Sequence, residues 1–259
     1  MKTSGSPTTG AQSVERALAL LKLVSGRNRN GARLADLVEL SQLQKPTVHR
    51  LLQQLVASGL LMQSPDKRYH LGQFSYELGL AASHHFTVRD ISEPYLERIA
   101  QETGDSAFLV VRSGSDSFCV DRKTGSYPIK VFSVETGHRQ PLGVGGGGLA
   151  LLSALPDDEI ETVLLANADR LSSYGGLTVQ ALRTLIRATR ERGYSVISDY
   201  AIPGVTGVGR ALVDGRGRVL GAISVSSVSQ RMDPERQRLV QQILKREIAG
   251  LHAALPRAG

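Results

Sequence analysis

The stretch LADLVELSQLQKPTVHRLLQQLVASG, residues 34–59, decides the fold of the first part of this chain. Two sets of apolar residues in it recur at the spacing of one helix face: Leu34, Leu37 and Val38, then Val48, Leu51, Leu52 and Leu55. Residues 41–44 between the sets leave room only for a tight turn, and Gly59 ends the second helix. Two short helices joined in this way have helix-turn-helix proportions.

The flanking residues extend this unit in both directions. Before it, apolar residues at helical spacing begin near Ser13. After it, the segments 60–63 and 68–71 flank the turn Ser64–Lys67 and predict a hairpin, the wing of a winged helix-turn-helix over residues 11–72. We expect residues 1–10, which are rich in Ser, Thr and Gly, to form a disordered arm, and residues 73–89 to form a linker helix.

The outer face of the second helix of this motif favours DNA binding. If the apolar residues point inward, the outward residues are basic side chains, amide side chains and one apolar side chain. This combination suits the base edges of a major groove. The candidate contacts on this helix are Lys45, Pro46, Thr47, His49, Arg50 and Gln53. Lys67 and Arg68 at the wing tip are candidate backbone contacts. The alternative is a small helical domain that docks to another protein.

The charge distribution agrees with a nucleic-acid partner. The chain has 259 residues and a net charge of +7. Residues 1–85 hold ten Lys and Arg against five Asp and Glu, whereas residues 86–259 hold 21 against 19. The excess of positive charge is therefore concentrated in the smaller, N-terminal part, where double-stranded DNA is the expected partner.

The remainder, residues 90–255, alternates strand-like and helix-like segments and predicts an α+β fold. The strand-like segments are Ala107–Val111, Phe118–Asp121, Ile129–Ser133, Val205–Val213 and Val219–Ser226. The helix-like segments are Leu149–Leu155, Glu159–Ala166, Thr178–Arg192 and a long terminal helix that Asp233 caps. The chain length also favours two domains over one.

A glycine run at residues 143–148 is the most unusual feature of this second part. A Walker A loop is excluded because Leu149 and Ala150 stand where Lys and Ser or Thr are required. Gly143, Gly145 and Gly148 satisfy G-x-G-x-x-G, but polar residues precede them where a dinucleotide site needs a buried strand. The remaining alternatives are a loop whose amides hold an anion and a turn without a ligand.

Enzymatic and metal-binding functions find little support. There is no G-x-S-x-G motif, and His84 and His85 are adjacent and would point in different directions on a helix, so we expect no catalytic residue, no metal and no cofactor. The single cysteine, Cys119, excludes an intrachain disulfide. Apolar runs are too short for a membrane span and a secretory signal pattern is absent, so we expect a cytoplasmic protein without a membrane partner.

Motifs along nearly the whole chain resemble the IclR family of bacterial transcriptional regulators. These are QSVERAL (12–18), KPTVHRLL (45–52), RYHLG (68–72), PYLE (94–97), PL (141–142), ERGY (191–194), PG (203–204), AISVS (222–226) and PER (234–236). The resemblance implies a winged helix-turn-helix joined by a helix to a GAF-like mixed α/β domain that binds a small effector. It also implies a homodimer or tetramer on a near-palindromic operator.

The resemblance also implies an effector site and a role. The matching positions are Leu142, Gly146 and Gly147 in the glycine run, Ser224 and Ser226 on the late strand, and Asp199 and Gly207 between them. The implied function is a repressor that responds to a carboxylate or aromatic catabolite. A nucleotide-dependent enzyme that uses residues 143–148 is the alternative.

This chain departs from the family pattern at three positions. Gly143 stands where the family often has histidine, Leu149 where it often has lysine, and Gly207 where several members have cysteine. Loss of these side chains predicts a larger and less charged pocket. We therefore expect a bulkier or less charged effector.

Overall fold

A computed structural model describes residues 9–83 and 88–254. The chain divides into two compact units, Met1–Phe86 and Thr87–Gly259. The first eight residues of the predicted arm lie outside the described part, as do His84, His85 and residues 86–87. Thr9 and Gly10, the last two residues of that arm, are helical.

The first unit is a winged helix-turn-helix. Its elements are α1 (Thr9–Ser25), α2 (Leu34–Ser41), α3 (Lys45–Ala57), β1 (Leu61–Gln63), β2 (Tyr69–Leu71) and α4 (Gln73–Ser83). Gln42 ends α2 in the left-handed conformation with φ 55°, and Pro46 lies in the first turn of α3, where a missing N–H costs nothing. The predicted helix-turn-helix and hairpin are thereby confirmed.

One apolar core holds this unit together. The inward residues of α3 are all buried, as the helical spacing predicted, and they pack with Leu20, Leu37 and Tyr69 from the other elements. β1 and β2 pair antiparallel, with Leu61 opposite Leu71, and Tyr69 also bridges to Ala32 ahead of α2. The wing is therefore fixed to the segment that precedes α2.

The second unit is built on a six-stranded antiparallel sheet with strand order β5-β4-β3-β8-β7-β6. The strands are β3 (Ser106–Ser113), β4 (Asp116–Thr124), β5 (Arg139–Pro141), β6 (Ser195–Ser198), β7 (Val205–Val213) and β8 (Val219–Val228). The helices are α5 (Val88–Thr103), α6 (Gly145–Ser153), α7 (Asp157–Leu171), α8 (Val179–Arg192) and α9 (Pro234–Ala254). The expected α+β class is confirmed.

Helices cover both faces of this sheet. The core on one face includes Phe108 and Val110 and packs against α6, α7 and α8. The core on the other face includes Leu109 and Val225 and packs against α5 and α9. Side chains alternate between the faces along β3 and β8, so Ser224 and Ser226 share a face with Phe108, which is opposite Ser224 in the ladder.

Helix ends follow the predicted capping chemistry. The Thr178 side chain accepts a hydrogen bond of 3.1 Å from the Ala181 N–H, and Gly193 ends α8 with φ 76°. Asp233 accepts a hydrogen bond of 2.8 Å from the Arg236 N–H at the start of α9. These local signals identified both helices correctly.

Three sequence predictions for this unit were wrong. Ile129–Ser133 is not a strand. The strand at the β4 edge of the sheet is instead β5, a three-residue segment whose polar sequence before Pro141 gave no strand signal. β6 was not predicted at all. The glycine run is not a loop, because residues 145–148 form the first turn of α6 and only Gly143 and Val144 precede it.

Across residues 9–83 and 88–254, no helix is both long and apolar enough to cross a membrane. Within the same ranges, no group of three His, Cys, Asp or Glu side chains is arranged to hold a metal ion.

Candidate DNA-binding surface and effector cavity

The outward face of α3 presents the residues that the sequence predicted. Lys45, Pro46, His49, Arg50 and Gln53 are exposed, and Thr47 is half-buried at the start of the helix. α3 contains no acidic residue, so Lys45 and Arg50 give this face a positive charge at neutral pH. A rigid helix, anchored by a buried opposite face, thus carries donors suited to phosphates and to the edges of bases.

The two predicted wing contacts lie in different environments. Lys67 is exposed at the hairpin tip, in the left-handed conformation with φ 61°. The Arg68 guanidinium instead turns back: Nη1 donates to the carbonyls of Asn30 (3.3 Å) and Gly31 (3.4 Å), and Nε lies 3.0 Å from an Asp66 oxygen. Arg68 therefore holds the wing against the segment before α2, and Lys67 is the cation that faces outward.

A small cavity lies in the second unit, between the first turn of α6 and strand β8. Its volume is about 20 Å³, enough for about one water molecule. The lining residues are Phe108, Val110, Ser117, Cys119, Ser133, Val134, Gln140, Val144, Gly145, Gly146, Gly147, Gly148, Ser224 and Ser226. None of these described lining residues carries a charge at neutral pH.

The polar groups of the cavity are hydroxyls and the beginning of a helix. Ser224 and Ser226 are buried, and both line the cavity. The Ser117 hydroxyl is 3.4 Å from the Gln140 carbonyl oxygen. The first N–H groups of α6 lack intrahelical acceptors. Hydroxyls and free N–H groups together suit a carbonyl or carboxylate.

The structure brings four of the seven predicted effector residues to this cavity: Gly146, Gly147, Ser224 and Ser226. Leu142 is buried in the neighbouring core. Asp199 is exposed, and its carboxylate accepts a hydrogen bond of 2.8 Å from the Gly204 N–H. Gly207 packs against the backbone of Gly146 beside the cavity.

Sequence reasoning missed the residues that β3 and β4 contribute. Phe108 and Val110 on β3 are two residues apart, as are Ser117 and Cys119 on β4, so each pair shares the face that lines the cavity. The period-two pattern was available, but which strand pairs with which was not readable from one chain. Burial raises the pKa of the Cys119 thiol to about 11, so Cys119 is a neutral, apolar part of the wall at physiological pH.

Glycines let α6 lie directly on the sheet. A Cβ placed on Gly209 would be 2.5 Å from the Gly146 carbonyl oxygen, and one on Gly207 would be 3.0 Å from the Gly146 nitrogen. The Ser195 hydroxyl donates to that same Gly146 oxygen at 2.6 Å. At Gly207, the expectation that a missing side chain enlarges the pocket is therefore wrong, because the backbone of Gly146 fills that space.

A winged helix-turn-helix followed by a separate antiparallel-sheet unit is the architecture of a bacterial transcriptional regulator. Residues 13–65 match the family described as the IclR helix-turn-helix domain, and residues 80–249 match the bacterial transcriptional regulator IclR C-terminal family. The chain belongs to the IclR family. It is thus a regulator and not an enzyme, and the nucleotide-dependent enzyme considered above is excluded by this membership.

Curated relatives support the same assignment. The chain is 26% identical over 231 residues to the HTH-type transcriptional repressor AllR of Escherichia coli K12, covering 88% of this chain and 84% of AllR. It is also 26% identical over 228 residues to the HTH-type transcriptional regulator KipR of Bacillus subtilis 168, covering 87% and 89%.

Solved structures show the same fold. An IclR regulator from Silicibacter sp. TM1040 superposes with a TM-score of 0.81 at 23% identity, covering 95% of this chain and 97% of that one. An IclR homologue from Microbacterium hydrocarbonoxydans, complexed with 4-hydroxybenzoate, superposes with a TM-score of 0.74 at 23% identity, covering 94% and 98%.

Proposed function

We propose that this protein is a repressor that binds a near-palindromic operator and is controlled by a small organic effector. The observation that carries the proposal is the exposed, acid-free face of α3 on a winged helix-turn-helix. Residues 11–72 would bind the operator, and residues 90–255 would bind the effector. Residues 73–89 would connect these two domains. A regulator of bacterial DNA acts in the cytoplasm.

Exposed apolar side chains support a homodimer, which could pair further into a tetramer. Val14 and Leu18 on α1 are exposed, as are four apolar residues of α4: Phe74, Tyr76, Leu78 and Leu80. Large apolar side chains exposed on α1 and α4 are consistent with an interface between two copies of the chain. A twofold dimer would present two α3 helices to successive major grooves, and this geometry requires an operator with near-twofold symmetry.

The cavity supports a carboxylate or a hydroxylated aromatic as effector. Its apolar wall suits a ring, and the Ser224 and Ser226 hydroxyls with the α6 amides suit an oxygen-rich end. The homologue that binds 4-hydroxybenzoate is consistent with this class. Ligand pockets usually enclose about 300 Å³ or more, and this cavity measures about 20 Å³, so it must widen to hold such an effector.

The DNA-binding half is tested with DNA from upstream of the protein's own gene, against a shuffled duplex of equal composition. We expect a preference of about 10³-fold or more at near-physiological salt. Arg50→Ala should lose about 1–3 kcal/mol on the operator and relax preference at one base pair. Arg187→Ala, which removes an exposed charge from α8, is the matched control and should change nothing. Equal affinity of wild type and Arg50→Ala would remove Arg50 from base recognition.

The effector half is tested by thermal shift with 4-hydroxybenzoate and with aliphatic monocarboxylates of similar size. A ligand that binds only the folded state at 100 times its Kd stabilises by about 2.7 kcal/mol. Ser224→Ala should reduce this shift and leave operator binding without ligand intact, because Ser224 is in the second unit. An undiminished shift in Ser224→Ala would place the ligand elsewhere.

A further inference from the structure

A groove of about 570 Å³ lies within the first unit, between the helix-turn-helix and the wing. It is lined by Arg33, Leu34, Ala35, Val38, Glu39, Lys45, Asp66 and Lys67. Three cations thus reach one groove from three elements: Arg33 from the residue before α2, Lys45 from the first turn of α3, and Lys67 from the wing tip.

The three cations of this groove lack ion-pair partners among the described residues, whereas one of its two acids has such a partner. Arg33, Lys45 and Lys67 are exposed, and none of them forms an ion pair within the described part of the chain. The negative charge of Asp66 is balanced by an ion pair, because Arg68 Nε lies 3.0 Å from its carboxylate. Hydrogen bonds, first of all from the Ser64 hydroxyl, hold the pKa of Asp66 below its ordinary value. Glu39 is the remaining acid, so the groove retains an excess of positive charge.

The lining chemistry matches a sugar–phosphate strand. Lys and Arg side chains only donate hydrogen bonds, and phosphate oxygens only accept them. Leu34, Ala35 and Val38 supply an apolar floor of the kind a deoxyribose ring can contact. The described lining has no Asn or Gln, the side chains that read adenine in a bidentate manner. The cations and the apolar floor of the groove therefore suit the sugar–phosphate backbone of DNA.

We propose that this groove clamps one backbone strand of the bound DNA, and that Arg33 is a phosphate contact along with Lys45 and Lys67. Lys45 belongs both to the groove and to the predicted base-reading face of α3, so the clamped strand would border the major groove that α3 enters. Arg68 does not contact DNA in this arrangement; it holds Lys67 in place through its bonds to the segment before α2. This inference rests on the proposed DNA-binding function.

The test measures affinity for a mixed-sequence 30-base-pair duplex over a series of KCl concentrations. Each phosphate contact contributes about 0.9 to the slope of log K against log salt concentration. A dimer that places both grooves on one duplex should therefore lose about 1.8 in Arg33→Ala. Arg33→Lys should keep most of the slope because it keeps the charge. Arg187→Ala, with the same change of charge in the second unit, should keep all of it.

Far-UV circular dichroism and melting of Arg33→Ala show whether it folds; the exposed side chain predicts that it does. An unchanged slope in a folded Arg33→Ala would overturn the clamp and assign the groove to an occupant other than DNA. A wild-type protein that binds no duplex at low salt would instead overturn the proposed DNA-binding function, and the clamp with it. A slope loss equal in Arg33→Ala and Arg187→Ala would show a diffuse charge effect and also contradict the clamp.

Discussion

Gly209→Ala tests whether the backbone contact between α6 and β7 stabilises the second unit. The added Cβ would lie 2.5 Å from the Gly146 carbonyl oxygen and 2.8 Å from the Ser195 hydroxyl. Carbon and oxygen atoms rarely approach closer than about 3.3 Å. The first turn of α6 must therefore move by nearly 1 Å, and the Ser195 hydroxyl must also shift, which disrupts its 2.6 Å hydrogen bond to the Gly146 oxygen.

The expected cost combines two effects. Overpacking of a tight site costs about 1–3 kcal/mol, and loss of a buried hydrogen bond adds about 1 kcal/mol. Gly209→Ala should therefore reduce the free energy of unfolding by about 3 kcal/mol. For a unit of this size, that corresponds to a melting temperature lower by about 6–12 °C.

Two matched glycine variants make the measurement specific. In Gly207→Ala the added Cβ would lie 3.0 Å from the Gly146 nitrogen, which is a milder conflict. This substitution should reduce the free energy of unfolding by about 1 kcal/mol. Gly215→Ala lies in the β7–β8 turn with no atom within 4 Å of the new Cβ, so it should be neutral to within about 0.5 kcal/mol. Urea unfolding of the full chain, followed by far-UV circular dichroism, ranks the three. A Gly209→Ala protein as stable as Gly215→Ala would refute the close contact.

Three further predictions concern stability. Because burial raises the folded pKa of Cys119 to about 11 from an ordinary value near 9, the native state holds its proton longer than the unfolded state; stability contributed by the neutral thiol is present below pH 9 and lost as pH rises towards 11. Wild type should thus lose up to about 2–3 kcal/mol more than Cys119→Ala between pH 9 and 11 in urea unfolding, and parallel pH profiles would contradict this. Thr178→Ala should cost about 1 kcal/mol through loss of the α8 N-cap, measured in the same way. Asp105→Asn should cost about 3–5 kcal/mol, because the Asp105 carboxylate is 1% exposed and pairs with Arg231 at 3.1 Å and Arg236 at 3.2 Å; a loss under 1 kcal/mol would show that these arginines find other partners.

The first unit could be predicted from the sequence because its signals are local. Helical spacing in α3 identified Val48 as buried and Arg50 as exposed, and Gly59 marked the end of the motif. The wing contacts were predicted from their charge and their position at the hairpin tip, and here local information was not enough. Lys67 and Arg68 are adjacent basic residues, yet only the structure shows that the Arg68 guanidinium binds the carbonyls of Asn30 and Gly31.

The cavity of the second unit was harder to predict from the sequence, because its lining depends on which strands pair. Ser224 and Ser226 were expected on one face of a strand, and that face lines the cavity. Their neighbours on β3 and β4, such as Phe108 and Cys119, are more than 100 residues away in the chain. Periodicity shows which residues share a face but not which strand lies beside it, so the opposite wall of the cavity could not be predicted.

The glycine run shows why a residue without a side chain misleads sequence reasoning most. Glycine lowers helix propensity by about 1 kcal/mol relative to alanine, so a loop was the natural interpretation of residues 143–148. The tertiary contact explains the choice of glycine: Gly207 and Gly209 of β7 lie against the backbone of Gly146, and a Cβ on Gly146 would lie only 3.0 Å from the Gly207 carbonyl carbon. Each of these glycines is explained by its partner and not by its own local conformation. Residues far apart in the chain thus jointly hold the first turn of α6 against the sheet and set the size of the cavity.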